Sequence, residues 1–306
     1  MNKRFILLYM TILCYCITFS GFLSNAQAVD KKFNILTSTF PIRLITLNII
    51  HGKNNMNVDL LIPAQVGCPH DYALAPQDMK KLVEADVLII NGLGMEEFLG
   101  APLEKFNLSL KTIDSSSGIK DILQHSDNAD HHHFRTNPHL FASPRMTALL
   151  AKNIANGLSM IDPAGAGIYL KNARIYENKM NKLADEFSAL GKRLKNKHIV
   201  TQHSVFDYLA RDIGLKIVAV LHEYDGQEPS AAEILKIIKT IRNENAKAIF
   251  TEPQYPQKIG HVIATEAGIV TKILDPVATG PKNASLDYYE TVMRKNIKIL
   301  EKTLDE

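Results

Sequence analysis

One run of residues limits the fold of this chain more than any other. The positions Tyr169, Ala173, Tyr176, Met180, Leu183, Phe187, Leu190 and Leu194 step by four and three without a miss. Side chains at that spacing share one face of an α-helix. The run predicts one continuous amphipathic helix, roughly 40 Å long at about 1.5 Å per residue. Asp162-Pro163 gives it a start, a capping side chain ahead of a proline at the first helical position. Fewer than four heptads is short for a free-standing coiled coil. The reading that fits the chain order is a rigid connector laid along two lobes.

Both flanks of that helix support the two-lobe reading. Short apolar runs at 33–36, 58–62, 87–90 and 110–113 alternate with helical patterns such as 77–85, where Met79, Leu82 and Val83 share a face. The arrangement repeats at 199–201, 217–221, 248–250 and 271–274. Its clearest helix opens at Ser230-Ala231-Ala232-Glu233, a capping box, and continues through Ile234, Leu235, Ile237, Ile238 and Ile241. Strand and helix alternating at this distance indicate parallel sheets covered by helices. The expected class is α/β, with two lobes, each a mainly parallel sheet flanked by helices, joined by the long helix. The expected divisions are 29–165, 166–195 and 196–306, after a leader at 1–28.

That leader has Lys3 and Arg4 at its start, an apolar stretch from Phe5 to Leu23, and Ala26-Gln27-Ala28 as a small-x-small cleavage pattern. These are the parts of a cleaved secretory signal peptide. An uncleaved anchor is the alternative, since about 19 apolar residues just span a bilayer. Cys14 follows Leu13 and Cys16 follows Tyr15, so neither cysteine has the small preceding residue that lipidation requires. Removal of the leader leaves Cys68 alone, which excludes an internal disulfide framework. It also lowers the formal charge from +3 to about +1. Near-balanced charge argues against a nucleic-acid partner, which usually meets a basic stripe.

Histidine is the unusual count, at 11. His125, His131, His132, His133 and His139 crowd together beside Asp127 and Asp130. Imidazole and carboxylate suit zinc and similar cations. Read alone, the segment 127–133 is a solvated metal-collecting loop without fixed geometry. Other positions are more telling, because ligands in open parallel sheets bind at the carboxyl ends of strands. His70 follows the strand at 58–62 through a Pro/Gly turn, and His203 follows 199–201. Glu252 follows 248–250, and Asp275 follows 271–274. His139 stands in Asn137-Pro138-His139, ahead of a helix capped by Ser143 and begun by Pro144. Donors from both lobes can converge there on one cation, with Asp275, Glu252 or a water in the fourth place.

These residues carry a resemblance. The N-terminal half contains Phe33-Asn34-Ile35-Leu36-Thr37-Ser38-Thr39-Phe40-Pro41, Leu61-Ile62-Pro63 leading to Pro69-His70-Asp71-Tyr72, and 85–96 with Asn91-Gly92-Leu93-Gly94-Met95-Glu96. Asn137-Pro138-His139, Val200-Thr201-Gln202-His203, Glu228-Pro229-Ser230, Ile249-Phe250-Thr251-Glu252-Pro253-Gln254 and Leu274-Asp275-Pro276 follow in order. Over nearly its whole length the chain resembles the substrate-binding proteins of zinc and manganese ABC transporters. The resemblance implies a single metal buried between two lobes, with His70, His139, His203 and Asp275 as ligands. It implies a monomer in the periplasm that delivers its cargo to a permease in the inner membrane.

Three imidazoles and one carboxylate close a four-coordinate shell, the kind that binds rather than catalyses. Manganese-specialised relatives tend to carry a carboxylate where His203 stands, so three nitrogens favour zinc, with manganese as the alternative. Three features depart from the family pattern, one of them the proline-containing motif after Tyr72, which reads Ala73-Leu74-Ala75-Pro76. Cys68 replaces the usual acidic residue before Pro69, and the thiolate is a further candidate donor. The histidine loop is shorter than in some zinc-binding relatives. The rival class is an exported zinc hydrolase. His222-Glu223 could open a zincin motif, but Gly226 occupies the place of its second histidine. No Gly-x-Ser-x-Gly elbow occurs, and the chain is expected not to be an enzyme.

Overall fold

The computed structural model describes residues 32–66, 69, 72–100, 110–124, 136–222 and 229–305. The leader at 1–28, Cys68, His70 and the histidine segment 125–133 lie outside the described residues. Within Phe33–Glu306 the described strands form two four-stranded sheets. β1 (Phe33–Thr37), β2 (Met56–Leu60), β3 (Val87–Ile90) and β4 (Lys111–Asp114) lie in the order β2-β1-β3-β4. β5 (His198–Thr201), β6 (Lys216–Val220), β7 (Ala248–Thr251) and β8 (Val270–Ile273) lie in the order β6-β5-β7-β8. Every pairing is parallel, as the alternation of strand and helix requires. The largest shift from expectation is in β2, which ends at Leu60 rather than at 62. The pairing itself runs on, since Leu61 and Ile62 still donate their N–H groups to Thr37 and Ser38 at 2.8 and 3.2 Å.

The helices among the described residues are α1 (Phe40–Ile49), α2 (Pro76–Glu84), α3 (Pro144–Ile161), α4 (Ala166–Arg193), α5 (Asp207–Ile213), α6 (Ala231–Glu244), α7 (Lys258–Ala267) and α8 (Tyr288–Leu304). α4 is the long connector. Asp162-Pro163 opens a 3-10 turn, Pro163–Gly165, that runs straight into it. Its buried face is the periodic run from Tyr169 to Leu190, with Leu194 buried just beyond the end. α4 packs on α1 and α3 of the first lobe and on α5 and α8 of the second. It passes so close to α5 that a Cβ on Gly191 would stand 1.9 Å from the carbonyl oxygen of Ile213, so only glycine fits. α3 is begun as the sequence indicates, with Ser143 Oγ accepting from the Met146 N–H at 3.3 Å. The Ser230–Glu233 capping box of α6 is likewise formed in both directions.

Successive strand residues face opposite sides, and the burial follows that alternation. Ile35, Val87, Ile89, Ile199, Ala248 and Phe250 point into one apolar cluster shared by both lobes, with Tyr176, Phe187, Tyr208 and Tyr289 at the join. Leu36 and Leu88 face a separate cluster with Leu82, and Val200 and Ile249 face another with Ile241 and Ile263. One continuous core therefore runs from sheet to sheet through α3, α4 and α8. Interiors packed in this way resist deformation, which matches the rigid connector read from the sequence.

Candidate metal centre

The candidate residues of the second lobe sit just past strand ends: His203 after β5, Glu252 after β7, Asp275 after β8. His139 lies ahead of α3, in a segment held to β3 by the side chain of Asn91, whose Nδ2 donates to the Pro138 carbonyl at 2.9 Å. The fold brings His139 and His203 together from different lobes. Their ring centroids are 5.0 Å apart at an interplanar angle of 82°. Both are buried, at 2% and 6% exposure.

Each imidazole is oriented through Nδ1. His139 Nδ1 lies 2.8 Å from Asn137 Oδ1, which also accepts the His139 backbone N–H at 2.9 Å. The other end of the same carboxamide donates to Ser204 O and Asp207 Oδ2 at 2.8 and 3.0 Å. The three partners of fixed role, the His139 N–H, Ser204 O and Asp207 Oδ2, agree on which atom of Asn137 is oxygen, so the proton belongs on His139 Nδ1. His203 Nδ1 lies 2.6 Å from Glu252 Oε1, an acceptor, and so carries the proton as well. In both rings Nε2 is then the basic nitrogen, the one with a lone pair for a cation.

Glu252 is fully buried, and both of its oxygens are engaged. Oε1 meets His203, and Oε2 accepts from Gln254 Nε2 at 2.8 Å. Asp275 is arranged differently. Its Oδ1 accepts from the Val277 N–H at 2.8 Å. Burial raises its pKa above the ordinary carboxylate value, and the nearby charge of Glu252 raises it further. Val277 itself has φ +64°, an outlier for a β-branched residue. Asp207, beneath the histidine pair, is pushed up to about 6 by burial, against the pull of its Asn137 hydrogen bond and of His203.

Among the described residues no group of three or more His, Cys, Asp and Glu side chains is arranged to hold a metal ion. What they supply is a pair of facing imidazoles, a buried carboxylate that orients one of them, and a second carboxylate near the first. His70 and Cys68 lie outside the described residues. Two histidines without a candidate role are held at the surface. His198 Nδ1 bonds the Glu244 carbonyl at 2.5 Å, and His261 Nδ1 lies 3.3 Å from Thr271 Oγ1. The sequence reading missed Asn137 as a partner of His139, although it lies within the motif already singled out.

Residues 35–303 match the family described as ZnuA, "Zinc-uptake complex component A periplasmic". The chain belongs to the ZnuA family. This is a family of metal-binding solute-binding proteins of ABC uptake systems, not of enzymes. Among curated relatives, zinc-binding lipoprotein AdcA of Streptococcus pneumoniae R6 is 29% identical over 301 residues, 95% of this chain. The chain spans about 60% of the length of that relative. High-affinity zinc uptake system protein ZnuA of Bacillus subtilis is 28% identical over 292 residues, 92% of this chain and 90% of that protein. The solved solute-binding protein FpvC of Pseudomonas aeruginosa, in complex with Ni2+, superposes with a TM-score of 0.77 at 27% identity. That match covers 90% of this chain and 97% of FpvC. The same protein solved with Mn2+ gives a TM-score of 0.76.

Proposed function

We propose that this chain is the zinc-capturing component of an ABC importer, holding one ion between its lobes and delivering it to a membrane permease. The single observation that supports this most is the buried His139–His203 pair, 5.0 Å apart, with each Nδ1 hydrogen-bonded to an acceptor. Such outer partners fix a ligand's tautomer and raise its basicity. The ligands in this reading are His70, His139, His203 and Asp275. In this reading Glu252 acts through His203, orienting the ring by the Oε1 contact to Nδ1.

Three nitrogens and one oxygen suit zinc. Manganese and nickel are the competing cargoes, since FpvC has been solved with each. A cleaved leader at 1–28 would release the protein unlipidated into the periplasm, because Cys14 and Cys16 lack the small preceding residue. Tag-free protein analysed for bound metals tests the reading. Wild type should carry one equivalent of zinc, and His139→Ala and His203→Ala should each fall below half of it. Variants that keep more than half of the metal would remove both residues from the shell.

A further inference from the structure

We infer that Asn137 is the positioning residue that joins His139 and His203, one from each lobe, into a single preset half-site. The inference rests on the reading of both histidines as ligands and concerns what holds them in place. Asn137 is fully buried. Its Oδ1 takes two bonds from His139, one from the backbone N–H and one from Nδ1, at 2.9 and 2.8 Å. Its Nδ2 reaches into the other lobe, to the carbonyl of Ser204 at 2.8 Å and to Asp207 Oδ2 at 3.0 Å. Ser204 is the residue after His203. One planar carboxamide therefore sets the tautomer of one imidazole and tethers the peptide that carries the other.

The backbone of Asn137 strengthens the link. Its N–H donates to Leu123 O at 2.8 Å, and its carbonyl accepts from Tyr208 Oη, on α5, at 2.7 Å. The same Tyr208 hydroxyl accepts from the Leu123 N–H at 3.1 Å. Asn137, Leu123 and Tyr208 thus form a closed ring of bonds across the lobe boundary. Nearby, Ser143 Oγ donates to Asp212 Oδ2 at 2.5 Å, and Arg211 Nη1 donates to the Asp121 carbonyl at 3.0 Å. α5 is therefore fastened to the first lobe at several points around Asn137. Removal of Asn137 does more than loosen one ring, because Nδ1 and Nε2 of His139 then compete for the proton.

Zinc competition titrations on wild type, Asn137→Ala, Asn137→Asp and His139→Ala, with ring-nitrogen NMR spectra of the metal-free proteins at mildly alkaline pH, test this. Asn137→Ala should weaken zinc binding by about 10- to 100-fold, the range for outer partners of metal-bound histidines. Its His139 should show mixed tautomers where wild type shows Nδ1–H alone. Asn137→Asp keeps a side-chain oxygen for Nδ1–H, so it should restore the tautomer and part of the affinity. Amides of residues 204–213 should exchange faster in both variants, because both lose the tether to Ser204.

An Asn137→Ala protein that binds zinc within about threefold of wild type, well short of the expected loss, would overturn the inference. So would an unchanged His139 tautomer in that variant. Where Asn137→Ala does not fold, Asn137→Asp decides alone, and a lost Nδ1–H signature there has the same meaning. The ligand reading fails separately, through His139→Ala binding zinc as wild type does.

Discussion

Asn137 and Asn296 are both buried, and both commit their carboxamides to a candidate ligand, but they grip different parts of it. Asn137 holds the imidazole ring of His139 and reaches across to the other lobe. Asn296, on α8, clasps the peptide of Asp275. Its Oδ1 accepts from the Asp275 N–H at 3.1 Å, and its Nδ2 donates to the Asp275 carbonyl at 2.7 Å. The Asp275 carboxylate is held by a tight local turn onto Val277. The imidazoles are therefore held at their rings, by Asn137 two residues from His139 and by Glu252 49 residues from His203, and Asp275 is held at its backbone by Asn296. The sides also differ in cost. The imidazoles are buried with each Nδ1 hydrogen-bonded to an acceptor, whereas Asp275 brings a carboxylate into a partly buried place beside Glu252.

That difference predicts the largest effect for Asp275→Asn. The substitution keeps an oxygen for the Val277 N–H but removes the anion. Zinc affinity should fall by more than the roughly 10- to 100-fold typical of an outer partner, while the metal-free protein should become more stable at neutral pH. The sign follows from the raised folded-state pKa. A carboxylate whose pKa rises above its unfolded value of about 3.9 destabilises the fold where it is ionised. That penalty fades as pH falls through the folded pKa toward the unfolded one. The melting-temperature gap between variant and wild type should therefore close on acidification. A variant less stable than wild type at neutral pH would break the contrast between the two sides.

Glu252→Gln comes next. The amide oxygen can still accept from His203 Nδ1, so the expected loss of zinc affinity is about tenfold, the low end for such partners. A loss as deep as that of Asp275→Asn in the same titration would make Glu252 a ligand and recast His203. The smallest effect on affinity is expected for Asn296→Ala. It leaves the Asp275 N–H and C=O without these partners, at a stability cost of about 1–3 kcal/mol, readable in denaturant unfolding. Because the imidazole pair is untouched, affinity should fall less than in Glu252→Gln. The reverse order would mean that the carboxylate side positions the ion.

Local signals made much of this legible. The four-and-three stepping from Tyr169 to Leu194 is the buried face of α4, and the short apolar runs are strands within two residues of their expected bounds. Ser143 and Ser230 cap the helices they were expected to cap. Bonds between distant residues were not legible. The sequence left Asp275, Glu252 or water open for the fourth place, because the His203–Glu252 contact joins residues 49 apart. Asn137 gave no sign of its role for a related reason. Its Nδ2 partners lie 67 and 70 residues away, in the other lobe. α8 carries Tyr289 into the shared core and Asn296 to Asp275; it was not foreseen, although Asp287 and Glu290 stand at the N-cap and third positions of its start.

In the proposed site, imidazoles from both lobes and one carboxylate enclose a zinc ion. X-ray absorption at the zinc edge, on protein loaded with one equivalent, tests it most directly. Such a shell gives imidazole scattering from three rings, with nitrogen and oxygen neighbours at about 2.0–2.2 Å. A sulfur neighbour at about 2.3 Å, or a shell without imidazole scattering, would contradict it.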